Sequence, residues 1–329
     1  MLTWPHAHSD WQPFLEKVEP VFCNLAFHIA RHEQVLISCW DDNHREHIES
    51  KLDEQAVDLA QVRFQIVRSN DTWARDHGPI TVLNQGQPIL LDFTFNGWGN
   101  KYDAKLDNAI TRQLCRQNAF GNTRLETIDL VLEGGSIETD GKGTLLSTSR
   151  CLLSPQRNPP LHRQQIEQQL AKLLGVNRFL WLKHGHLAGD DTDSHIDTLA
   201  RFCSADTICY ISCDDPQDEH YPALQAMATE LAAFRQTNGE PYNLVPLPMT
   251  HAIHNEDGTR LPATYANFLI INNAVLVPTY QDKNDALALE RLSQCFSQRE
   301  IIAIDCKPLI EQYGSLHCVT MQLPAGVLN

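Results

Sequence analysis

The stretch Leu161-His-Arg-Gln-Gln-Ile-Glu-Gln-Gln-Leu-Ala-Lys-Leu-Leu-Gly-Val-Asn-Arg-Phe-Leu-Trp-Leu182 contains the two patterns that decide the fold class. Apolar residues recur at three-to-four spacing over residues 161–174, which predicts an amphipathic helix. The short apolar run over residues 178–182 is typical of a buried strand. A helix followed closely by a strand predicts an α/β or α+β protein.

Both patterns recur along the rest of the chain. Further strands are predicted at residues 35–40, 62–67, 89–95, 207–211, 243–245 and 300–304. Further helices are predicted at residues 106–117, 220–237 and 284–296, the last with Asn284 as its N-cap. Pro20 predicts a break or kink in a helical stretch over residues 10–30.

Domain organisation depends on length and on linkers. The 329 residues would suit two average domains, but closed α/β architectures often use this much chain as one unit. No Pro/Gly/Ser-rich linker or low-complexity tract divides the sequence. We therefore predict a single domain over residues 1–329.

Charge and cysteine usage narrow the class of protein. The net charge of −15 repels nucleic acid and anionic membranes and slightly favours a cationic small molecule as partner. The ten cysteines form no CxxC pair and no regular framework, so a zinc site or a disulfide scaffold is disfavoured. The sequence shows no signal peptide and no long apolar run, and we predict a soluble, reduced, cytoplasmic protein.

Four segments concentrate polar and turn-forming residues beside apolar strands. Such loops on a rigid scaffold are where functional sites are usually built. Together they supply a thiol, histidines and carboxylates, which are a nucleophile, an acid/base and a cation-binding set. The segments are Asn70-Asp-Thr-Trp-Ala-Arg-Asp-His-Gly-Pro79, Glu133-Gly-Gly-Ser136, Asp190-Asp-Thr-Asp-Ser-His-Ile-Asp197 and Gly314-Ser-Leu-His-Cys-Val-Thr320.

Cys318 follows a Gly-Ser turn and precedes Val319, so it could project from the end of a strand as a nucleophile. The alternative is a small buried hydrophobic residue, which is the usual role of a free cysteine. The local sequence does not decide between these two roles.

His195 lies two residues before Asp197, so on an extended segment both side chains would point to one side. The carboxylate would favour charged imidazole, which suits a general acid, although a purely structural pair is an equal alternative. The nearby Asp190, Asp191 and Asp193 predict a loop that binds a cation. An organic cation is favoured over a metal, because the EF-hand spacing is absent.

The remaining segments are open to simpler interpretations. Arg75 and Asp76 would form a salt-bridged turn, and Glu133 with its two glycines a bulge or hairpin. Trp73 and Trp98 could form the wall of a cation pocket or simply pack in the core.

Taken in order, these segments closely resemble the agmatine deiminases of the guanidino-group-modifying, or pentein, superfamily, which also includes the bacterial peptidyl-arginine deiminase type. The match covers almost the whole chain. It rests on Trp4-Pro-His6, Asn70-Asp-Thr-Trp-Ala-Arg-Asp76, Phe95-Asn-Gly-Trp-Gly-Asn-Lys-Tyr102, Leu132-Glu-Gly-Gly-Ser136, Arg157-Asn-Pro159, Asp191-Thr-Asp-Ser-His-Ile-Asp197, Pro262-Ala-Thr-Tyr-Ala-Asn-Phe268, Val277-Pro278 and Gly314-Ser-Leu-His-Cys318.

The resemblance implies a fold and a set of roles. The fold is a five-bladed, pseudo-symmetric α/β propeller of ββαβ modules around a channel, with the site at its mouth. Cys318 is the nucleophile, His195 the acid/base, and Asp76 and Asp197 the carboxylates that bind the guanidinium group. Asp191 binds substrate, although some relatives have Glu at this position; independently of the resemblance, we also predict Trp73 as a substrate-binding residue through cation–π attraction. No metal and no organic cofactor is implied.

The resemblance also implies an activity, the hydrolysis of agmatine to N-carbamoylputrescine and ammonia through an amidino-cysteine intermediate. The pathway would be putrescine biosynthesis or agmatine catabolism, and assembly into a homo-oligomer stays open. Alternatives are deimination of free or peptidyl arginine, transfer of the amidino group to an amine, and non-catalytic polyamine binding. Relatives usually carry a further turn and strand before Trp4, so either the true start lies upstream or the first module lacks an edge strand.

Overall fold

The computed structural model describes residues 1–328 and contains fifteen strands within that range. In chain order they are β1 (Leu2–Thr3), β2 (Val35–Cys39), β3 (Val62–Ile66), β4 (Ile80–Asn84), β5 (Gln87–Thr94), β6 (Arg124–Val131), β7 (Ile137–Thr139), β8 (Thr144–Thr148), β9 (Arg178–Leu182), β10 (Ala200–Ser204), β11 (Thr207–Ser212), β12 (Asn243–Pro248), β13 (Leu269–Ile271), β14 (Ala274–Thr279) and β15 (Glu300–Asp305).

Helices separate these strands. The longer ones span Leu15–Ala30, Asp42–Glu54, Ile110–Arg116, Arg163–Leu174, Tyr221–Ala233 and Asp285–Cys295. Single helical turns lie at Ala74–His77, Ser149–Leu152 and Lys307–Ile310, and 3₁₀ turns at Gln12–Phe14, Leu59–Gln61, Asp107–Ala109, Gly134–Ser136 and Ile196–Thr198. No helix among residues 1–328 is both long enough and apolar enough to cross a bilayer.

The strands form five three-stranded sheets, each with its strands in chain order. In three of the sheets the first pair of strands is antiparallel and the second pair is parallel, as in β7–β8 and β8–β9, where Leu146 faces Leu180. A parallel pair needs a crossover connection, and a helix supplies it before the third strand of every sheet. The first sheet differs, because β1 and β2 are parallel.

All seven predicted strands are confirmed within a few residues, β9 with identical bounds. The four predicted helices are also present, although the one predicted at residues 106–117 begins as a 3₁₀ turn and the one predicted at 220–237 already ends at Ala233. Asn284 does occupy the N-cap position, but its side chain makes no capping bond and donates instead to the Met249 carbonyl oxygen at 2.7 Å.

The predicted break at Pro20 is wrong, because Leu15–Ala30 is one continuous helix with the proline inside it. Eight apolar side chains of this helix are buried. Their burial offsets the loss of one intrahelical hydrogen bond at Pro20.

Contacts divide the chain into two compact units. The first comprises Met1–Gly134, Leu269–Ala274 and Leu316–Asn329, and the second comprises Gly135–Phe268 and Val275–Ser315. Each has its own apolar core, built around Leu36, Leu90 and Phe120 in the first unit and around Leu146, Leu199 and Met227 in the second. The prediction of a single domain stays a prediction.

Candidate active site

Cys318 belongs to the first unit and is buried in a turn rather than on a strand. The turn is closed by Thr320, whose backbone N–H donates to the His317 carbonyl oxygen at 3.1 Å and whose hydroxyl donates to the same oxygen at 3.0 Å. Thr320 then forms a single antiparallel bridge with Leu2. The expected strand at Cys318 is therefore wrong, and a tight turn holds the thiol.

Arg75 fastens the Cys318 turn to the segment that carries Asp76. Its backbone N–H donates to the Cys318 carbonyl oxygen at 3.0 Å, and its Nε donates to the His317 carbonyl oxygen at 3.3 Å. Its guanidinium also donates to the side chain of Gln322. Arg75 is buried, so these bonds are made away from water and fix the two segments relative to each other.

Asp76 is buried within the helical turn Ala74–His77, and its Oδ2 accepts a 2.9 Å hydrogen bond from the indole Nε1 of Trp98. Trp98 reaches this position from a left-handed turn, Gly97–Asn100, in which all four residues have positive φ and Trp98 itself has φ 55°. A non-glycine residue pays a steric cost in this conformation. In this conformation the neutral indole N–H of Trp98 reaches one oxygen of Asp76, the carboxylate that is predicted to bind the guanidinium group.

Trp73 precedes Asp76 and is largely buried rather than open. Its ring lies 5.7 Å from that of Trp11, and the indole N–H groups of both tryptophans bond to the Asp71 carboxylate. Burial raises the pKa of Asp71 to about 6, against the opposing effect of these donors and the Thr72 N–H. The two tryptophans and Asp71 thus hold the segment that leads into the helical turn Ala74–His77.

Asp107 holds the beginning of the same segment. Its Oδ1 accepts from the backbone N–H groups of Asn70 and Asp71 at 2.6 and 3.2 Å, while the Asn70 side chain accepts from the Leu106 N–H at 2.7 Å. Burial, followed by the charge of Asp71, raises the pKa of Asp107 to about 8. A protonated carboxyl therefore stays inside the first unit near neutral pH.

Glu133 is a further candidate, to which the sequence analysis gave no role beyond a bulge or hairpin. Glu133 is completely buried, which is rare for an acidic residue unless its carboxyl group is paired with another group. The next residue must be glycine, because a Cβ at Gly134 would lie 2.2 Å from the Arg75 carbonyl oxygen. The two glycines therefore allow a close approach that brings a carboxylate into the unit of Cys318 and Asp76. An acid directly before two glycines at a strand end was the available signal.

The acidic segment 190–197 belongs to the second unit and is organised by Asp190. Its Oδ1 accepts from the Thr192 N–H at 3.1 Å and from the Thr192 hydroxyl, and its Oδ2 accepts from the Ser194 N–H at 2.7 Å. Aspartate commonly closes a turn of its own backbone in this way. The Asp190 carboxylate is therefore occupied in folding the loop.

Asp193 is likewise committed to structure. Its Oδ2 forms a 2.6 Å ion pair with the buried side chain of Arg157, which also donates to the Thr192 carbonyl oxygen at 2.9 Å. The sequence analysis predicted that the four carboxylates bind a cation together. That prediction is wrong for Asp190 and Asp193, because both are bonded within the protein. For Asp197 and for the half-buried Asp191, the cation-binding role stays a prediction.

His195 and Asp197 are both buried, but not on an extended segment. Asp197 lies in the 3₁₀ turn Ile196–Thr198, with His195 immediately before it, so the expected extended geometry is wrong. Burial lowers the pKa of Arg201, but the negative charges of Glu138 and Asp197 outweigh burial and raise it overall.

Each predicted site residue is thus placed in one of two sets. Cys318, Asp76 and Trp73 lie in the first unit, where Arg75 and Trp98 connect the thiol-bearing turn to the carboxylate. Residues 191, 195 and 197 lie in the second unit on one continuous loop. The first set combines a thiol with an anchored carboxyl group, and the second combines an imidazole with two further carboxyl groups.

Comparison with known proteins shows the family of the chain. The model of the Porphyromonas-type peptidyl-arginine deiminase family matches residues 1–324. The chain belongs to this family. Among curated members, an agmatine deiminase of Ectopseudomonas mendocina is 30% identical over 348 aligned residues, which cover 98% of this chain and 92% of the relative.

Two solved structures from this family are especially similar. A Porphyromonas gingivalis protein provisionally named an arginine deiminase is 51% identical with a TM-score of 0.94, covering 100% of this chain and 96% of that one. A C. jejuni agmatine deiminase, a cysteine-to-serine variant with substrate bound, is 39% identical with a TM-score of 0.89, covering 97% and 91%. The expected α/β pentein fold is confirmed by these similarities.

Proposed function

We propose that this chain hydrolyses agmatine to N-carbamoylputrescine and ammonia, with Cys318 as the nucleophile. The observation that carries the proposal is the joint anchoring of Cys318 and Asp76 by Arg75. Support also comes from the agmatine deiminase of C. jejuni, whose cysteine-to-serine variant retains its substrate. The reaction is the hydrolysis of a C–N bond in a linear amidine.

The carboxylates overcome the low reactivity of the guanidinium group. Its cation is resonance-stabilised and stays protonated near neutral pH, so its carbon is a poor electrophile unless it is positioned exactly. In our proposal Asp76 and Asp197 accept its N–H groups and align the carbon for attack. The hydrogen bond from Trp98 to Oδ2 fixes the orientation of the Asp76 carboxylate.

The reaction then proceeds in two balanced halves. The Cys318 thiolate forms a bond to the guanidinium carbon, and the C–N bond breaks as His195 gives a proton to the departing ammonia. Neutral His195 next takes a proton from water, whose oxygen attacks the same carbon and displaces the thiolate. One water is consumed, and the products are the carbamoyl compound and ammonia.

The far end of the substrate is assigned to Asp191 and Trp73. A primary ammonium group would pair with the half-buried Asp191 carboxylate, and an aromatic face would attract it by cation–π interaction. The net charge of −15 adds a general attraction for a dication. None of these features supplies a partner for an α-carboxylate, which favours agmatine over free arginine.

Deimination of arginine is the second candidate, and one observation favours it. The relative with 51% identity is provisionally named an arginine deiminase, whereas the agmatine deiminase of C. jejuni is 39% identical. Substrate preference follows from kcat/KM ratios, so agmatine, free arginine and a peptidyl arginine have to be compared on one enzyme preparation.

The deciding experiment incubates wild type and Cys318→Ala with each substrate and measures ammonia together with the carbamoyl product. We expect wild type to form both from agmatine with the highest kcat/KM, and the variant to lose at least about a thousandfold in kcat. Cys306→Ala, at another buried thiol, is the matched control. A higher kcat/KM for either arginine substrate would assign the alternative activity.

The proposal extends to the architecture and setting that the resemblance implies. Five ββαβ blades around a channel in one domain are supported by five sheets with a helix before each third strand. Cytoplasmic location, a role in polyamine metabolism and the oligomeric state stay predictions. Cell fractionation and light scattering would measure the first and the last.

A further inference from the structure

His220 is a buried histidine outside the predicted catalytic set, and both of its ring nitrogens have partners. Its Nδ1 lies 2.7 Å from Oδ1 of Asp218, and its Nε2 lies 2.7 Å from the backbone nitrogen of Ala188. Because a backbone N–H can only donate, Nε2 must accept. The proton is therefore on Nδ1, and the ring is the neutral tautomer.

The carboxylate behind this ring is itself fixed. Asp218 accepts from two nitrogens of Arg260, at 3.1 Å on Oδ1 and 2.8 Å on Oδ2, and from the backbone N–H of His220 at 2.9 Å. Such a bidentate pair is geometrically demanding, so the direction of the Nδ1–H bond is determined. Asp218, His220 and Ala188 form a relay from an ion pair to one backbone amide.

Arg260 restrains the same loop from a second side. Gly189 has φ +81°, and a Cβ at that position would lie 2.3 Å from the Arg260 carbonyl oxygen. The backbone of residue 189 is thus in close contact with the partner of Asp218. Ala188 and Gly189 lie directly before Asp190 and Asp191, the first of which organises the acidic loop.

We infer that His220 is a positioning residue, which holds the backbone at Ala188 and thereby sets where the Asp191 carboxylate lies for binding the amine end of a cationic substrate. This inference rests on the proposed function for the role of Asp191. The relay itself is a property of the second unit and can be tested without turnover.

The relay works in one protonation state only. A proton on Nε2 would place an N–H group against the N–H of Ala188 and remove the acceptor. The charged or titratable groups around the ring are Asp218, Glu219, Arg260 and His186, whose ring centroid lies 5.9 Å away. Burial, aided by Arg260, lowers the pKa of His220 despite the opposing effect of Asp218 and Glu219. The neutral ring, and with it the held loop, is therefore present near neutral pH and is lost as the solution becomes acidic.

Two variants separate the halves of the relay. His220→Asn can still donate to Asp218 but loses the acceptor for Ala188, whereas His220→Gln can place an amide oxygen near the position of Nε2. We expect hydrogen exchange of the amides at 187–191 to be about tenfold faster in His220→Asn and closer to wild type in His220→Gln. KM for agmatine should rise more in His220→Asn than in His220→Gln, and kcat should change less than KM in both variants.

The matched control is His251→Asn, because His251 makes the same kind of bond, Nδ1 to Oδ2 of Asp282 at 2.9 Å, but is exposed and distant in sequence from the loop. It should leave exchange at 187–191 unchanged. In wild type, exchange of this peptide corrected for its intrinsic rate should rise as the solution becomes acidic, and this rise should be absent in His220→Asn.

The outcomes for the relay and for the activity can be distinguished. Unchanged exchange at 187–191 in a folded His220→Asn protein overturns the inference, whatever the turnover. Faster exchange with an unchanged KM overturns the role of the relay in substrate binding. If wild type does not act on agmatine, the proposed function fails, and the exchange data still decide whether His220 holds the loop.

Discussion

The Cys318 turn and the acidic loop at 190–197 are both polar segments, but they are held in opposite ways. Around Cys318, the side-chain bonds of Arg75 span 242 and 247 residues of sequence. Within the acidic loop, Asp190 bonds to residues only two and four positions away. The first region is assembled by the tertiary structure, and the second largely folds on itself.

This difference determines which changes each region tolerates. The side chain of the buried Arg75 bonds to partners from distant segments, so one truncation removes these bonds together and leaves the backbone bond of residue 75 to Cys318. The acidic loop has several short-range bonds and an anchor at Arg157, so losing one of them leaves the others in place. The predictions below test this contrast.

Arg75→Ala should have the largest effect. It removes the side-chain bonds from Arg75 to His317 and Gln322 and creates a cavity, which we expect to cost about 3–5 kcal/mol of stability. Activity should fall with it, because the Cys318 turn loses the side-chain bonds that hold it against the Asp76 segment. Urea unfolding monitored by tryptophan fluorescence measures the first effect, and kcat/KM for agmatine measures the second.

Arg75→Lys is the control, since it keeps a charge but loses the planar set of donors. It should retain part of the stability and little of the activity. Near-wild-type activity of Arg75→Ala would mean that the two segments are held together without Arg75, and the contrast drawn above would be wrong.

Asp190→Ala should have an intermediate effect. It removes the acceptor of three donors in the loop, at about 1 kcal/mol per bond, but the site is half-buried and water can replace some partners. We expect about 1–2 kcal/mol of destabilisation and a larger increase in KM than decrease in kcat. Asp190→Asn keeps one oxygen acceptor, so its stability and its KM should lie between those of wild type and Asp190→Ala. An unchanged KM in Asp190→Ala would show that the loop keeps its shape without this residue.

Asp107→Asn should have the smallest effect on activity, and its effect on stability should depend on pH between about 4 and about 8. Because the pKa of Asp107 in the folded protein is raised to about 8, the folded state binds a proton that the unfolded chain has lost above about pH 4. Stability therefore decreases as pH rises through this interval, by up to about 1.4 kcal/mol per unit. Asparagine keeps the oxygen that accepts from Asn70 and removes the charge.

The variant should accordingly lose the pH dependence between about 6 and about 8, whereas Asp71, whose pKa is raised to about 6, still contributes below that range. Thermal unfolding midpoints at pH 6, 7 and 8 measure this pH dependence of stability. Asp103→Asn, at an exposed neighbour, should behave like wild type. Parallel pH curves for Asp107→Asn and wild type would contradict the protonated state of Asp107.

Periodicity predicted the elements well because it reports on burial of one face, which is a local property of the sequence. All seven predicted strands and four helices are present. Pro20 was misjudged, since eight buried apolar side chains hold the Leu15–Ala30 helix around it. Such packing depends on neighbours that a local pattern does not show.

The sequence by itself determined which reactive groups the chain contains: a thiol at 318, an imidazole at 195 and several carboxyl groups near them in sequence or in other polar segments. Only the tertiary structure decided how each is used. It committed Asp190 and Asp193 to the loop, buried Glu133 beside two glycines, and presented Cys318 from a turn tied to Arg75. The reason is physical: residue type fixes what bonds a side chain can make, whereas partners far apart in sequence fix which of those bonds are made.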